Sequence, residues 1–215
     1  MAAASNASYR ESVTPGRLRL RRRANARRVE ILRAAARVFR ERGISATGMR
    51  EIALAADLSP ANLYHYFRGK DEILFFCQDQ SLNRLIAALT HARKPRGPAG
   101  PRLRRLALAH MLCLLDEVDG SVAHLDVDAL PPKLRAPIVA KRDIYERGVR
   151  ALIAGGIRSG EFQRSDATIS TRAFLGALNW TAQWFRPEGP QSPEHVAELV
   201  SEYAVAGLAG AAPGG

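Results

Sequence analysis

Apolar positions along the chain recur at helical spacing, and no stretch alternates as a strand would. From Asn25 onward, Val29, Leu32, Ala36 and Phe39 mark a first helix, and Gly43 is placed to end it in a left-handed conformation. Met49, Ile52, Ala53 and Ala56 share one face of a short second helix that Thr47 or Gly48 can cap. Asp57 and Leu58 make a tight connection. Ser59-Pro60 then opens a third helix, ANLYHYF, because the serine hydroxyl accepts an orphan amide and proline at the first helical position loses no intrahelical bond. Gly69 breaks it, and Lys70 to Arg93 reads as a long fourth helix with Ile73, Leu74, Cys77, Leu82, Leu85, Ile86 and Leu89 as its apolar positions. Beyond the breaker KPRGPAGP, helices are expected near 102–118, 121–129, 132–159, 166–185 and 193–209, separated by Gly120, Pro131-Pro132, Gly160 and RPEGPQ. The pattern predicts an all-α fold of about nine helices. Its organisation is a flexible basic arm at 1–24, a three-helix unit at 25–70, a larger helical body at 71–210 and a flexible tail at 211–215.

Composition narrows the class. With 47% hydrophobic residues in 215, the chain can build a core. No apolar run reaches 18 residues, and the first residues lack both a basic and an apolar leader region, so a cytoplasmic protein without membrane insertion is expected. Cys77 and Cys113 supply neither a disulfide framework nor a zinc ligand set; they are expected to be small buried hydrophobes, and no metal or cofactor is expected. Lys plus Arg number 32 against 21 Asp plus Glu, a net charge of +11. Residues 1–70 carry 15 basic and 5 acidic side chains and residues 71–215 carry 17 and 16, so the excess sits almost wholly at the front. A polyanion such as nucleic acid, an anionic membrane surface and a merely solubilising excess all fit that asymmetry.

The third helix chooses among them. Leu63, Tyr66 and Phe67 cluster on one side of its wheel, while Ala61, Tyr64 and His65 face the other, flanked by Pro60 and Asn62. Two short helices joined by a tight turn, the second with a small and polar outer face, match a helix-turn-helix whose second helix enters a major groove of double-stranded DNA. Asn62 can offer donor and acceptor to an adenine edge, and Ala61 or Pro60 can touch a thymine methyl. Thr47, Tyr64, His65 and Lys70 carry groups suited to phosphate oxygens; Gly48, Arg50 and Ser59 complete the candidate DNA-binding set. The Arg-rich arm can track phosphates or enter the minor groove, or it can simply be solvated. An enzyme is disfavoured: there is no G-x-S-x-G elbow, H-E-x-x-H, P-loop or dinucleotide glycine pattern, and GGIRSG at 155–160 reads as helix termination. A sequence-blind architectural DNA binder remains the main alternative.

The segment GISATGMREIALAADLSPANLYHYFRGKDEIL resembles the N-terminal helix-turn-helix of the TetR family of bacterial transcriptional regulators. Leu58, Ser59, Leu63, Tyr64, Tyr66, Phe67 and Lys70 carry the likeness, preceded at the family interval by Thr47 and Ile52-Ala53. The resemblance implies a homodimer on a palindromic operator, with contacts from Thr47, the Pro60–Asn62 segment, Tyr64, His65 and Lys70. The chain departs from the family at Gly48, Pro60 and Ala61, so the operator sequence does not transfer.

In the body, Phe174, Gly176, Ala177 and Trp184 on one expected helix and Leu199, Val200 and Tyr203 on the last are candidates for a four-helix dimer interface, with an intrachain core as the other reading. Phe75, Phe76, His110, Met111, Leu114, Leu115, His124 and Trp180 mix apolar walls with polar handles and are candidates either for an effector pocket or for packed core. The stretch LGALNWTAQWFRPEGPQSPEHVAE is similar to a TetR subgroup that includes regulators of fatty-acid and sterol breakdown responding to acyl-CoA thioesters. That likeness implies an apolar or acyl-CoA-type effector, with Arg102, Arg104 and Arg105 as candidate partners for its anionic part. The overall expectation is a ligand-responsive regulator, a repressor released from its operator by that effector.

Overall fold

The computed structural model describes residues 15–94, 97–116 and 127–209, with side chains from Arg23 onward. His124, the tail at 211–215 and residues 1–14 of the expected arm lie outside the described residues. Eight α-helices and one 3-10 turn make up the regular structure described: α1 Pro15–Arg42, α2 Met49–Ala55, α3 Pro60–Tyr66, α4 Lys70–Arg93, α5 Ala99–Leu115, the turn Val127–Ala129, α6 Pro132–Ser159, α7 Ala167–Trp184 and α8 Pro193–Ala209. The fold is all-α, with the long α1 and the short α2 and α3 in front of a larger helical body.

Two expectations need correction. The backbone is helical from Pro15, so residues 15–24 extend α1 instead of forming part of an arm. Proline at the first helical position, with Arg, Leu and Ala filling residues 17–24 after Gly16, favours a start upstream of the apolar periodicity. The ninth helix expected at 121–129 appears only as the turn Val127–Ala129, residues 121–126 lying outside the described residues.

The front core collects Ile31, Leu32, Ala35 and Phe39 of α1, Ile52 and Ala53 of α2, Leu63 and Phe67 around α3, and Ile73, Leu74 and Cys77 of α4. Val127, Leu130 and Ile138 of the body belong to this same cluster, so the front helices share a core with the start of α6. Arg28 places its guanidinium 4.8 Å from the Phe67 ring and 4.9 Å from the Phe76 ring, a cation-π clamp over the end of α3. The second core lies among α4, α5, α6, α7 and α8, around Leu89, Leu103, Met111, Val149, Ile153 and Leu178.

Helix ends are tied by side chains from other elements. Arg27 donates to the Ala56 carbonyl at the end of α2, and Arg102 donates from Nε to the Ala92 carbonyl at the end of α4. Glu161 accepts from the Gly100 amide at the start of α5. The Ala99 and Gly100 amides hold its carboxyl below the ordinary carboxylate range.

Candidate nucleic-acid interface and effector cavity

The connection between α2 and α3 is set by local chemistry. Leu58 N–H returns to the Ala53 carbonyl at 2.9 Å, and Asp57 takes φ 52°, the left-handed conformation that Asp tolerates better than most side chains. Ser59 caps α3: its hydroxyl accepts from the Asn62 amide at 3.2 Å, with Pro60 as the first helical residue. Leu63 and Phe67 are fully buried beneath the helix and Tyr66 is half-buried. Pro60, Ala61, Asn62, Tyr64 and His65 are exposed above it. One face is anchored, leaving a row of small and polar groups on the other.

Around this row, Gly48 is the N-cap of α2, its amide donating to Glu51 at 3.0 Å, and Arg50 is exposed on the same helix. Lys70 donates to the Ile44 carbonyl at 2.9 Å, which fixes the start of α4 to the loop before α2 and leaves two ammonium protons for another acceptor. Thr47 stands apart from the surface set. It is 2% exposed and its hydroxyl donates to the Gly43 carbonyl at 2.7 Å, so its side chain holds the α1–α2 loop together.

The seven candidate pocket residues that are described do not come together. Phe75 and Phe76 pack edge to face with each other and against the front core. Met111, Leu114 and Leu115 are buried in the body core, as expected of a helix packed against α4, α6, α7 and α8. Trp180 is 68% exposed. His110 lines a cavity of about 190 Å³, bounded by Leu82 and Leu85 of α4, His110 of α5, Arg142, Asp143, Tyr145 and Glu146 of α6, and Leu175 and Asn179 of α7. His110 Nδ1 lies 3.0 Å from the Tyr145 hydroxyl and Nε2 lies 3.0 Å from Asn179 Oδ1. Since the amide oxygen only accepts, Nε2 donates to it, and Nδ1 accepts from Tyr145. Burial pushes the imidazole pKa down to about 4, against a raising contribution from Asn179, so the ring is neutral at pH 7. Burial likewise pushes the Tyr145 phenol up.

Tyr145 and Asn179 were missed in the sequence, although a signal existed. Tyr145 lies in register with the inward Val149 and Leu152 of α6, and Asn179 is a lone amide beside the buried Leu178 of α7. Arg102 and Arg104 are engaged elsewhere, Arg102 on the end of α4 and Arg104 with Glu202 at 3.8 Å.

The candidate interface residues divide as well. Phe174 is 3% exposed and belongs to the core. Gly176, Ala177, Trp184, Leu199 and Tyr203 are exposed and Val200 is half-buried. Ile169 and Trp180 join them on the outer face of α7, leaving a broad apolar stripe open along α7 and α8.

Among the described residues no group of three or more His, Cys, Asp or Glu is placed to hold a metal, and no described helix is long and apolar enough to cross a membrane.

A buried hydrophobic anchor beneath an exposed short helix, backed by a body with a polar-lined cavity, defines a helix-turn-helix regulator with a separate ligand-responsive part. Residues 31–75 match the family of bacterial regulatory proteins called tetR, and residues 96–208 match the tetracyclin repressor-like C-terminal domain. The chain belongs to the TetR family and is a ligand-responsive DNA-binding regulator of that type. It is 26% identical over 187 residues to the HTH-type transcriptional repressor KstR2 of Mycobacterium tuberculosis, covering 86% of this chain and 94% of that one. The crystal structure of the TetR family regulator PfmR from Thermus thermophilus superposes with a TM-score of 0.73 at 34% identity, covering 82% of this chain and 97% of PfmR. That of AibR in complex with isovaleryl coenzyme A and operator DNA gives 0.74 at 25% identity, covering 85% and 98%.

Proposed function

We propose that the chain is a repressor that binds a palindromic operator as a homodimer and is released by a small apolar or acyl-CoA-type effector. The observation that carries the reading is the division of α3 into a buried Leu63–Phe67 anchor and an exposed Pro60, Ala61, Asn62, Tyr64 and His65 face. In this reading Asn62 reads a base edge, Pro60 or Ala61 meets a thymine methyl, and Tyr64, His65, Arg50 and Lys70 meet phosphates together with the Gly48 and Ser59 region. The exposed stripe of α7 and α8 meets its two-fold copy, which sets the two α3 helices about one DNA turn, ~34 Å, apart.

Release follows from the placement of α4. It is one unbroken helix from Lys70 to Arg93, with Ile73 and Leu74 in the front core and Leu82 and Leu85 on the cavity wall. An occupant of the cavity therefore pushes on the rod that carries the reader, and a tilt of that rod spoils the half-site spacing. KstR2 is named as a repressor and AibR was crystallised with an acyl coenzyme A and operator DNA, and both names agree with this reading. Footprinting on the DNA flanking the chain's own gene tests it. Protection of one inverted repeat, lost on addition of an acyl thioester, is expected; equal protection of unrelated DNA identifies a sequence-blind architectural binder instead.

A further inference from the structure

The two hydrophobic cores divide at the same level of α4 and α6. On α4, Cys77 and Leu82 belong to the front core and Leu85 to the body core; on α6, Ile138 belongs to the front core and Tyr145 to the body core. A closed ring of polar contacts sits at this seam. Lys141 of α6 donates to Asp79 Oδ1 at 2.5 Å and to Asn83 Oδ1 at 2.7 Å, and Asn83 Nδ2 donates to Asp79 Oδ2 at 3.0 Å. Asp79 and Asn83 stand about one turn apart on α4, and the carboxylate and the ammonium are half-buried. Apolar packing is non-directional and lets two helices roll or slide on each other, whereas hydrogen bonds of set length and angle admit one register. An ion pair with this much solvent contact adds little to the free energy of folding, so its consequence is geometric.

Further along, α4 and α6 approach so closely that a Cβ on Gly148 would stand 2.2 Å from Leu89 Cδ2, which makes this contact in the body core a fulcrum for α4. Along the helix axis Asp79 lies about 15 Å and Lys70 about 28 Å from Leu89, so a shift of α4 at the ring is roughly doubled at the reader. Leu82 and Arg142, each next in sequence to a member of the ring, line the cavity of about 190 Å³, so the stretch of α4 and α6 that forms the ring also walls the cavity. We infer that Asp79, Asn83 and Lys141 are positioning residues, whose ring holds α4 at the tilt that spaces the two α3 helices of a dimer for the operator. This rests on the operator-binding reading and deepens it by assigning the contact that sets the geometry. None of the three belongs to the exposed row of α3 or to the residues around it that face DNA in that reading.

Affinity for the inverted repeat that the native protein selects from a randomised duplex pool, and for unrelated duplex of the same length, tests the inference. Asp79→Asn and Lys141→Met should each bind the repeat about tenfold or more weakly, while staying within about twofold of the native protein on unrelated duplex, because lost spacing affects only the two-site complex. Asp79→Asn decides the sign, since removal of a negative charge by itself favours every DNA. The exchange Asp79→Lys/Lys141→Asp keeps the net charge and lets the Asn83 amide turn over to serve the reversed pair; it should recover the repeat to within about threefold of native. Lys133→Met, at an exposed position of the same helix, controls for the loss of one cation and should change both duplexes alike. Circular dichroism and urea unfolding establish that each variant is folded. Native or tighter binding of the repeat by the single variants, losses of equal size on both duplexes, or a folded exchange variant as weak as the single ones overturns the positioning role while the operator reading stands. If the native protein selects no repeat, the operator reading fails and the positioning role with it.

Discussion

Acidification should weaken the fold through one imidazole. His110 is 2% exposed, wedged against α6 and α7, with Nδ1 on the Tyr145 hydroxyl and Nε2 on Asn179 Oδ1. Its pKa falls from 6.5 to about 4 on folding because burial penalises the charged ring. Between those two values the unfolded chain binds a proton that the folded chain refuses, so stability is lost as pH falls through that window and the loss levels off below the folded pKa. At about 1.4 kcal/mol per pKa unit, the full difference is about 3 kcal/mol, a substantial part of a domain's typical 5–15 kcal/mol. Urea denaturation of the native protein and His110→Gln at pH 7, 5.5 and 4.5 measures it, since carboxylates titrating in the same range cancel in the difference. The native protein should lose about 2 kcal/mol more than the variant between pH 7 and 4.5, the remainder following below pH 4. Identical slopes for the two proteins, or an imidazole titrating near 6.5 by nuclear magnetic resonance, would refute the reasoning.

Three further outcomes follow from particular contacts. Gly156→Ala should cost about 1–3 kcal/mol in thermal or urea unfolding, because the added methyl overlaps the Phe162 ring and comes within 3.0 Å of Ala99 Cβ. Asp57→Val should cost about 1–2 kcal/mol while Asp57→Gly costs little, since a β-branched residue resists the positive φ of the α2–α3 turn; equal stability of the two variants would contradict the strained turn. Trp180→Glu with Tyr203→Glu, at positions 68% and 80% exposed, should give folded monomers in sedimentation and at least a hundredfold weaker operator binding, whereas an unchanged dimer would remove the α7–α8 interface.

Much of this architecture was legible in the sequence because single residues carry strong local signals. Ser59-Pro60 opened α3, Pro132 opened α6 and Gly160, at φ 78°, closed it, each where the structure has it. Local rules reached the exposed row of α3 too, since a short helix anchored by the buried Leu63 and Phe67 has only one other face. They failed where the outcome depends on which helix packs against which. Phe75 and Phe76 follow the break at Gly69 so closely that they close the front core, and Trp180 of α7 is exposed while Leu175 and Asn179 of that helix line the cavity. Tyr145 and Asn179 meet His110 only across the fold, and a single-helix wheel holds no information on that. The Thr47 hydroxyl was read as a phosphate donor because hydroxyls suit phosphates; its burial in the loop that it ties was a tertiary fact.

Operator-specific repression requires α3 to distinguish one DNA sequence from another. Selection from a fully randomised duplex pool, followed by affinity measurement with the native chain and Asn62→Ala, tests this most directly. The native protein should enrich an inverted repeat with half-sites about one helical turn apart, and Asn62→Ala should lose roughly 1–3 kcal/mol on that repeat and almost nothing on random DNA. A pool that emerges without enrichment, or an Asn62→Ala loss of equal size on every sequence, would contradict it.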